Sequence, residues 1–230
     1  MNDKPIIRDY TNVFPCPVGH RYVYRTSDIE ATEPPNMGLS LACAFDMAAS
    51  YKDCEGLLII ESDVIIRPGC VEALIEAAMI DGPECGSVAP LYVELGGNTV
   101  SSVGGMTKEK VFCNIPVGIE LGSWDQSGPP TLDYLWWAHN ACLWLPRSTI
   151  TNPKVRPDPN FRLFYADHDL SYTIRTAGLR IVVTDRAVAE HSRNCASTQI
   201  LWRDESMRSN IEMDGYEMLK RKWPGFFTSG

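Results

Sequence analysis

Leu41, Ala44, Phe45 and Ala48 recur at helical spacing from Met37 onward, and Gly56 closes the following turn before four consecutive large aliphatics, Leu57-Leu58-Ile59-Ile60. A run with no polar face predicts a strand buried on both sides, as in a parallel sheet between helix layers. It stops at Glu61-Ser62-Asp63, and after Val64-Ile65-Ile66 the tripeptide Arg67-Pro68-Gly69 carries a helix-start signature. Val71, Leu74, Ile75, Ala78 and Met79 then predict a helix with one apolar stripe against the sheet, ended by Gly82-Pro83. Gly86 to Val93 reads as the next strand.

Residues 96–130 are rich in glycine and polar side chains, which predicts loop with room for one short hairpin. Tyr134 to Leu145 is an aromatic segment broken at His139-Asn140 and ended by Pro146. Beyond the Pro-rich stretch 153–159, Phe161 to Tyr165 leads to Asp167 and Asp169 at the head of a helix that buries Leu170, Ile174 and Ala177, with Gly178 placed to end it in the left-handed conformation. Arg180 to Thr184 and Ala187 to His191 are two further strands. The first 35 residues are full of breakers, and only Arg21 to Arg25 reads as a strand. Alternating strands and helices predict an α/β layered domain, and 230 residues suit a single one.

Composition adds exclusions. With 44% apolar and 22% charged residues the chain is an ordinary globular one. A net charge of -8 disfavours a surface that neutralises many phosphates, so nucleic acid is not an expected partner. The basic stretch from Arg203 to Lys222 reads as a solvated helix face. Eight cysteines, at positions 16, 43, 54, 70, 85, 113, 142 and 195, show no C-x-x-C spacing, which argues against a zinc knuckle. With no basic-then-apolar leader at the N-terminus, the expectation is a cytoplasmic chain with reduced, mostly buried thiols. No apolar run approaches the ~20 residues that span a bilayer.

Three elements can carry chemistry. Glu61 and Asp63 follow a buried strand at the carboxyl edge where open α/β sheets collect ligands, and such carboxylates can bind a hard cation, although alone they more often decorate a solvated turn. In Tyr165-Ala166-Asp167-His168-Asp169, Asp169 suits a helix cap, whereas Asp167 can accept a proton from a hydroxyl in a pocket. His168, between the two acids, is expected to turn away from them. His191 ends a strand and can offer a neutral imidazole to a metal, though a lone histidine there is more often structural.

Taken in order, Leu57 to Val64, Arg67-Pro68-Gly69 with its amphipathic helix, Trp137-Ala138-His139-Asn140-Ala141-Cys142-Leu143, Phe164 to Gly178, and Arg180 to His191 resemble family 2 glycosyltransferases of the GT-A fold, particularly the rhamnosyltransferase-like branch, over residues 36–195. The resemblance implies a GT-A nucleotide-diphospho-sugar transferase fold with a mostly parallel central sheet and helices on both faces. It implies one domain over 1–230: a shortened nucleotide-binding start at 1–35, a motif-bearing core at 36–195 and a C-terminal helical tail at 196–230. The activity implied is inverting transfer from a nucleotide-sugar donor to a hydroxyl on a glycan, lipid-linked sugar or other acceptor, with Mn²⁺ or Mg²⁺; a homo-oligomer is compatible with it. The Q-x-x-R-W signature of processive synthases is absent.

Carried over residue by residue, the resemblance makes Asp63 a metal ligand with Glu61 and His191 beside it, and Asp167 the catalytic base. It puts Glu61, Ser62, Trp136, Trp137, His139, Asn140 and Asp169 in the substrate-binding set. The chain departs from the family pattern in having Glu61 for the leading Asp, Ala166 for the Glu before the base, and too few N-terminal residues for the usual nucleotide-binding strands. The pocket is expected to be truncated, to be rebuilt with Thr26-Ser27-Asp28 as a candidate stand-in for part of it, or to be supplied by another chain. A nucleotidyltransferase is disfavoured because no Gly-rich phosphate loop followed by Lys is present. A catalytically inactive sugar-nucleotide or glycan binding module stays open as the alternative.

Overall fold

The computed structural model describes residues 7–9, 23–25, 36–61, 63–105, 119–121, 132–191 and 205–226. Ser62, Thr26-Ser27-Asp28, Cys16, Cys113, Cys195 and Trp202 lie outside them. β1 (Ile7–Asp9) and β2 (Val23–Arg25) form an antiparallel pair, the latter within the strand expected at Arg21 to Arg25. α1 (Met37–Ser50) starts where its periodicity does, capped by Asn36, whose Oδ1 accepts the Leu39 N–H at 2.9 Å.

The main sheet contains β3 (Gly56–Ile60), β4 (Val64–Ile66), β5 (Cys85–Val93), β6 (Thr99–Ser102), β7 (Ile119–Glu120), β8 (Leu132–Leu135), β9 (Cys142–Pro146) and β10 (Arg180–His191). Its backbone order is β3-β9-β5-β10-β4, with β6 on β5, β7 on β6 and β8 on β10. The expected mostly parallel sheet is not what forms. Among the described residues only β5 and β10 pair in parallel, and the other pairings are antiparallel. β3 accordingly lies at an edge of the described sheet, bonded to β9 alone, with Ile60 44% exposed, so an unbroken aliphatic run did not mean burial on both faces.

Helices cover both faces. α2 (Cys70–Asp81) packs Cys70, Ala73, Leu74 and Ala77 against Val88, Tyr92, Cys142 and Val182. α1 and α4 (Ala166–Thr176) put Phe45, Ala48, Leu170 and Ile174 on the opposite face, against Ala89, Leu91, Val93, Leu143 and Val183. Alternate strand residues thus enter opposite cores, as the pleat requires. The buried stripe of α2 is rotated from the expected one, and Met79 is 75% exposed. Small residues, Ala73 and Ala77, face the sheet because they allow close approach.

Two strands were expected between Arg180 and His191, and one forms, with a register shift between Val183 and Val188. The cause lies across the ladder. β5 contains Pro90, which has no N–H to donate. There β10 bulges, and β5 passes from its β9 contact at Val88 to its β6 contact at Tyr92. α3 (Arg147–Ile150) follows β9, and α5 (Glu205–Lys222) follows the described end of β10. No helix among the described residues is long and apolar enough to cross a membrane. Cys43, Cys54, Cys70, Cys85 and Cys142 are free thiols, the last three buried.

Candidate functional site

Sheet register assembles the acidic cluster. β4 runs antiparallel to β10 with Val64 opposite His191, so the residue before Val64 emerges beside the imidazole. Asp63 Oδ2 lies 3.6 Å from His191 Nε2. The Val64 N–H donates to the Glu61 carbonyl at 3.2 Å, folding the link between β3 and β4 into a turn that brings both acids together. Donor atoms of Glu61, Asp63 and His191 all lie within 4.8 Å of one another.

The three groups shift one another's proton affinity. Burial, then the charge of Asp63, pushes the Glu61 carboxyl up to about 7. Contact with His191 holds Asp63 below the ordinary carboxylate range, and Asp63 in turn raises His191. Two carboxylates and one imidazole are a donor set that could hold a divalent metal ion, whose charge would offset both the burial and the Asp63 repulsion that raise Glu61.

Asp167 enters the same field from α4. It is the second residue of the helix, after Tyr165, which takes a left-handed φ of 66°. A bulky residue there stores strain, a feature that clusters at functional sites. His168 does not turn away as expected. Its ring Nδ1 and its backbone N–H lie 2.8 Å and 2.9 Å from Asp167 Oδ1, and the ring stacks on Trp137 at 4.2 Å. His139 Nδ1 is 3.6 Å from Asp167 Oδ2. Burial alone would raise the Asp167 carboxyl, but His168 and His139 hold it far below the usual range. Asp167 and Asp63 also both bear on the proton affinity of Glu61, so the two halves of the site sense one another.

The remaining sequence-predicted residues divide. Asn140 is 3% exposed and neither polar atom of its side chain has a hydrogen-bond partner. Trp137 is buried in the core between His168 and His139. Trp136 is half-buried, with the Arg175 guanidinium 4.5 Å over its ring and Phe226 against its edge. Asp169 is committed elsewhere: it is 1% exposed and makes no N-cap bond. It accepts from Trp223 Nε1 at 2.8 Å and pairs with Lys222 at 2.8 Å. Trp223 and Phe226 pack on Tyr172 of α4, so this part of the tail joins the core.

Sequence reasoning missed Ser102 and Tyr92. The Tyr92 hydroxyl donates to the Cys142 carbonyl at 2.7 Å and accepts the Cys142 N–H at 2.8 Å, pinning the exit of the loop that carries His139 and Asn140. Ser102 Oγ is 2.7 Å from His139 Nε2. Neither had a local signal, since one sits in a buried strand and the other in a Ser/Gly-rich stretch.

Comparison with protein-family models and with curated proteins finds no match. Among solved structures of similar shape is A197 from STIV, at 15% identity and a TM-score of 0.43, over 67% of this chain and 66% of that one. Another is GalNAc-T7 with UDP, GalNAc and Mn²⁺, at 12% identity and a TM-score of 0.46, over 64% of this chain and 29% of that one. The chain thus spans less than two thirds of the length of either protein.

Proposed function

We propose that the chain is a metal-dependent glycosyltransferase with a single GT-A-type domain, moving one sugar at a time from a nucleotide-diphosphate donor to an acceptor hydroxyl with inversion. The observation that carries the reading is the convergence of Glu61, Asp63 and His191 within 4.8 Å, in the electrostatic reach of the ionised Asp167. Asp63, Glu61 and His191 would hold Mn²⁺ or Mg²⁺, which would supply positive charge against the departing diphosphate. Asp167 takes the proton from the acceptor hydroxyl as its oxygen bonds to the anomeric carbon and the bond from that carbon to the diphosphate oxygen breaks. His139 and Asn140 border the donor sugar in this reading, and the half-buried Trp136 frames the pocket wall.

The test is release of nucleoside diphosphate from UDP-, GDP- and dTDP-sugars with Mn²⁺, with and without glycan acceptors, by wild type and Asp63→Ala. Turnover of one donor that disappears in the variant is the expected result. No release from any donor by the wild type contradicts the assignment and leaves a sugar-nucleotide binding module.

A further inference from the structure

His139 is half-buried and contacted through both ring nitrogens and both flanks. Tyr92 and Trp137 meet its ring edge-on, with centroids 5.7 Å and 5.0 Å away. Its Nε2 is 2.7 Å from Ser102 Oγ and its Nδ1 is 3.6 Å from Asp167 Oδ2, the first a hydrogen bond and the second a longer electrostatic contact. Ser102 is fixed in its turn, because the β5–β6 pairing sets it opposite Tyr92 and leaves it 8% exposed.

A neutral imidazole carries one ring proton, and the two contacts decide where it resides. On Nδ1, the proton faces a carboxylate oxygen and leaves the Nε2 lone pair to accept from the Ser102 hydroxyl. On Nε2, the proton meets a hydroxyl that can equally well accept, but the Nδ1 lone pair then points at a negative oxygen. Only the first arrangement makes both contacts attractive.

We propose that Ser102 and His139 are positioning residues for Asp167: the Asp167 carboxylate selects the Nδ1–H form of His139, the Ser102 hydroxyl donates to Nε2 and fixes the ring, and His139 thereby faces Asp167 Oδ2 while His168 holds Oδ1. The inference rests on the reading of Asp167 as the base. Its consequence is directional. With an imidazole on each oxygen the carboxylate cannot spin about its Cβ–Cγ bond, and the lone pairs left open face one direction. The order Ser, His, Asp is that of a hydrolytic triad, but here the serine orients the imidazole and is not activated by it. The groups facing Asp167 are His168 and Tyr172 of α4, Tyr165 just before that helix, His139 from the loop before β9, and Glu61 just after β3.

The experiment is ¹⁵N-histidine and ¹³C-aspartate NMR on the full metal-free chain, comparing wild type, Ser102→Ala, Ser102→Thr and His139→Ala, with His139→Gln as the substitute if the alanine variant does not fold. In the wild type, His139 should show a protonated Nδ1 and an unprotonated Nε2 when neutral. Ser102→Ala should keep the proton on Nδ1 but shift the Nε2 resonance toward that of an unbonded nitrogen, and Ser102→Thr should restore it. Asp167 should titrate about one pH unit or more higher once His139 is removed. A wild-type His139 protonated on Nε2, or an Asp167 titration unmoved in the His139 variants, overturns the proposal. So does covalent capture of Ser102 by a serine-directed fluorophosphonate. None of these readouts needs a sugar donor, so their failure is separate from failure of the transferase reading, which nucleotide binding and turnover test.

Discussion

Glu61 donates its backbone N–H to the carbonyl of Ala141 at 2.9 Å, and this bond ties the turn that carries the acidic cluster to the loop that carries His139 and Asn140. The metal half and the base half of the site therefore share one frame while using different side chains. Asp167→Asn keeps the volume and removes the charge. Transfer by this variant should fall ~10²- to 10⁴-fold, the range typical of general base catalysis, with metal-dependent nucleotide binding within a few-fold of wild type. Steady-state kinetics beside a binding titration checks it. Near-normal turnover would mean that another group takes the proton.

The raised Glu61 carboxyl gives a pH dependence whose sign is fixed. In the folded, metal-free chain it holds its proton up to about 7, against the ordinary value of 4.5. Below 4.5 both folded and unfolded chains are protonated at this site and nothing is lost. Between those values the unfolded chain ionises first, so stability falls as pH rises, and above about 7 the loss is constant. Glu61→Gln removes the loss. In EDTA, urea unfolding should show the variant gaining on the wild type from about pH 4.5 to about 7. A gap that does not change with pH would contradict the burial argument.

Asp169 anchors the end of α5. Its carboxylate is buried and meets both Lys222 and the Trp223 indole N–H. Asp169→Ala removes the acceptor of the Trp223 indole, the Asp158 N–H and Lys222, but Lys222 keeps its pair with Asp158 at 2.9 Å and about a third of its side chain in water. The expected cost is roughly 1–3 kcal/mol, seen as a Tm lower by several degrees. Faster cleavage of the tail by trypsin should accompany it. Unchanged proteolysis together with unchanged Tm would show that the aromatic packing of Trp223 and Phe226 suffices.

Gly105 exchanges backbone hydrogen bonds with Trp136 and Trp137, and a Cβ built on it would lie 2.0 Å from Trp137 Nε1. Trp137 is buried between two histidines and has no room to retreat. Gly105→Ala should cost about 1–3 kcal/mol through overpacking. It should also shift the ring resonances of His139 and His168 while leaving those of His191 in place. Equal shifts in all three would indicate a general loss of fold instead.

The sequence and the structure agree most closely where periodicity was long. α1, α4 and β5 lie within a residue or two of their predicted bounds, and Gly178 takes the left-handed φ expected of it. Strand direction was not legible, because an aliphatic run such as Leu57 to Ile60 says that side chains prefer apolar surroundings and nothing about which neighbour bonds its backbone. Pro90 was visible, but its effect on β10 depends on a partner almost a hundred positions away. Within the site, the acids and His191 were recognisable from motif order. Their mutual distance comes from the Val64–His191 register, which no local pattern encodes. The histidines around Asp167 were harder still, since the side-chain direction of His168 is set by the Trp137 ring beneath it.

The most direct test of the account is calorimetric titration of UDP, GDP and dTDP into the wild type and Asp63→Ala, each with and without Mn²⁺. The prediction is binding of one nucleotide that requires Mn²⁺ and weakens at least tenfold in the variant, given that even indirect damage to a metal site costs 10- to 100-fold. Metal-independent binding, or the same affinity in Asp63→Ala, would contradict the claim that Glu61, Asp63 and His191 form the donor's metal site.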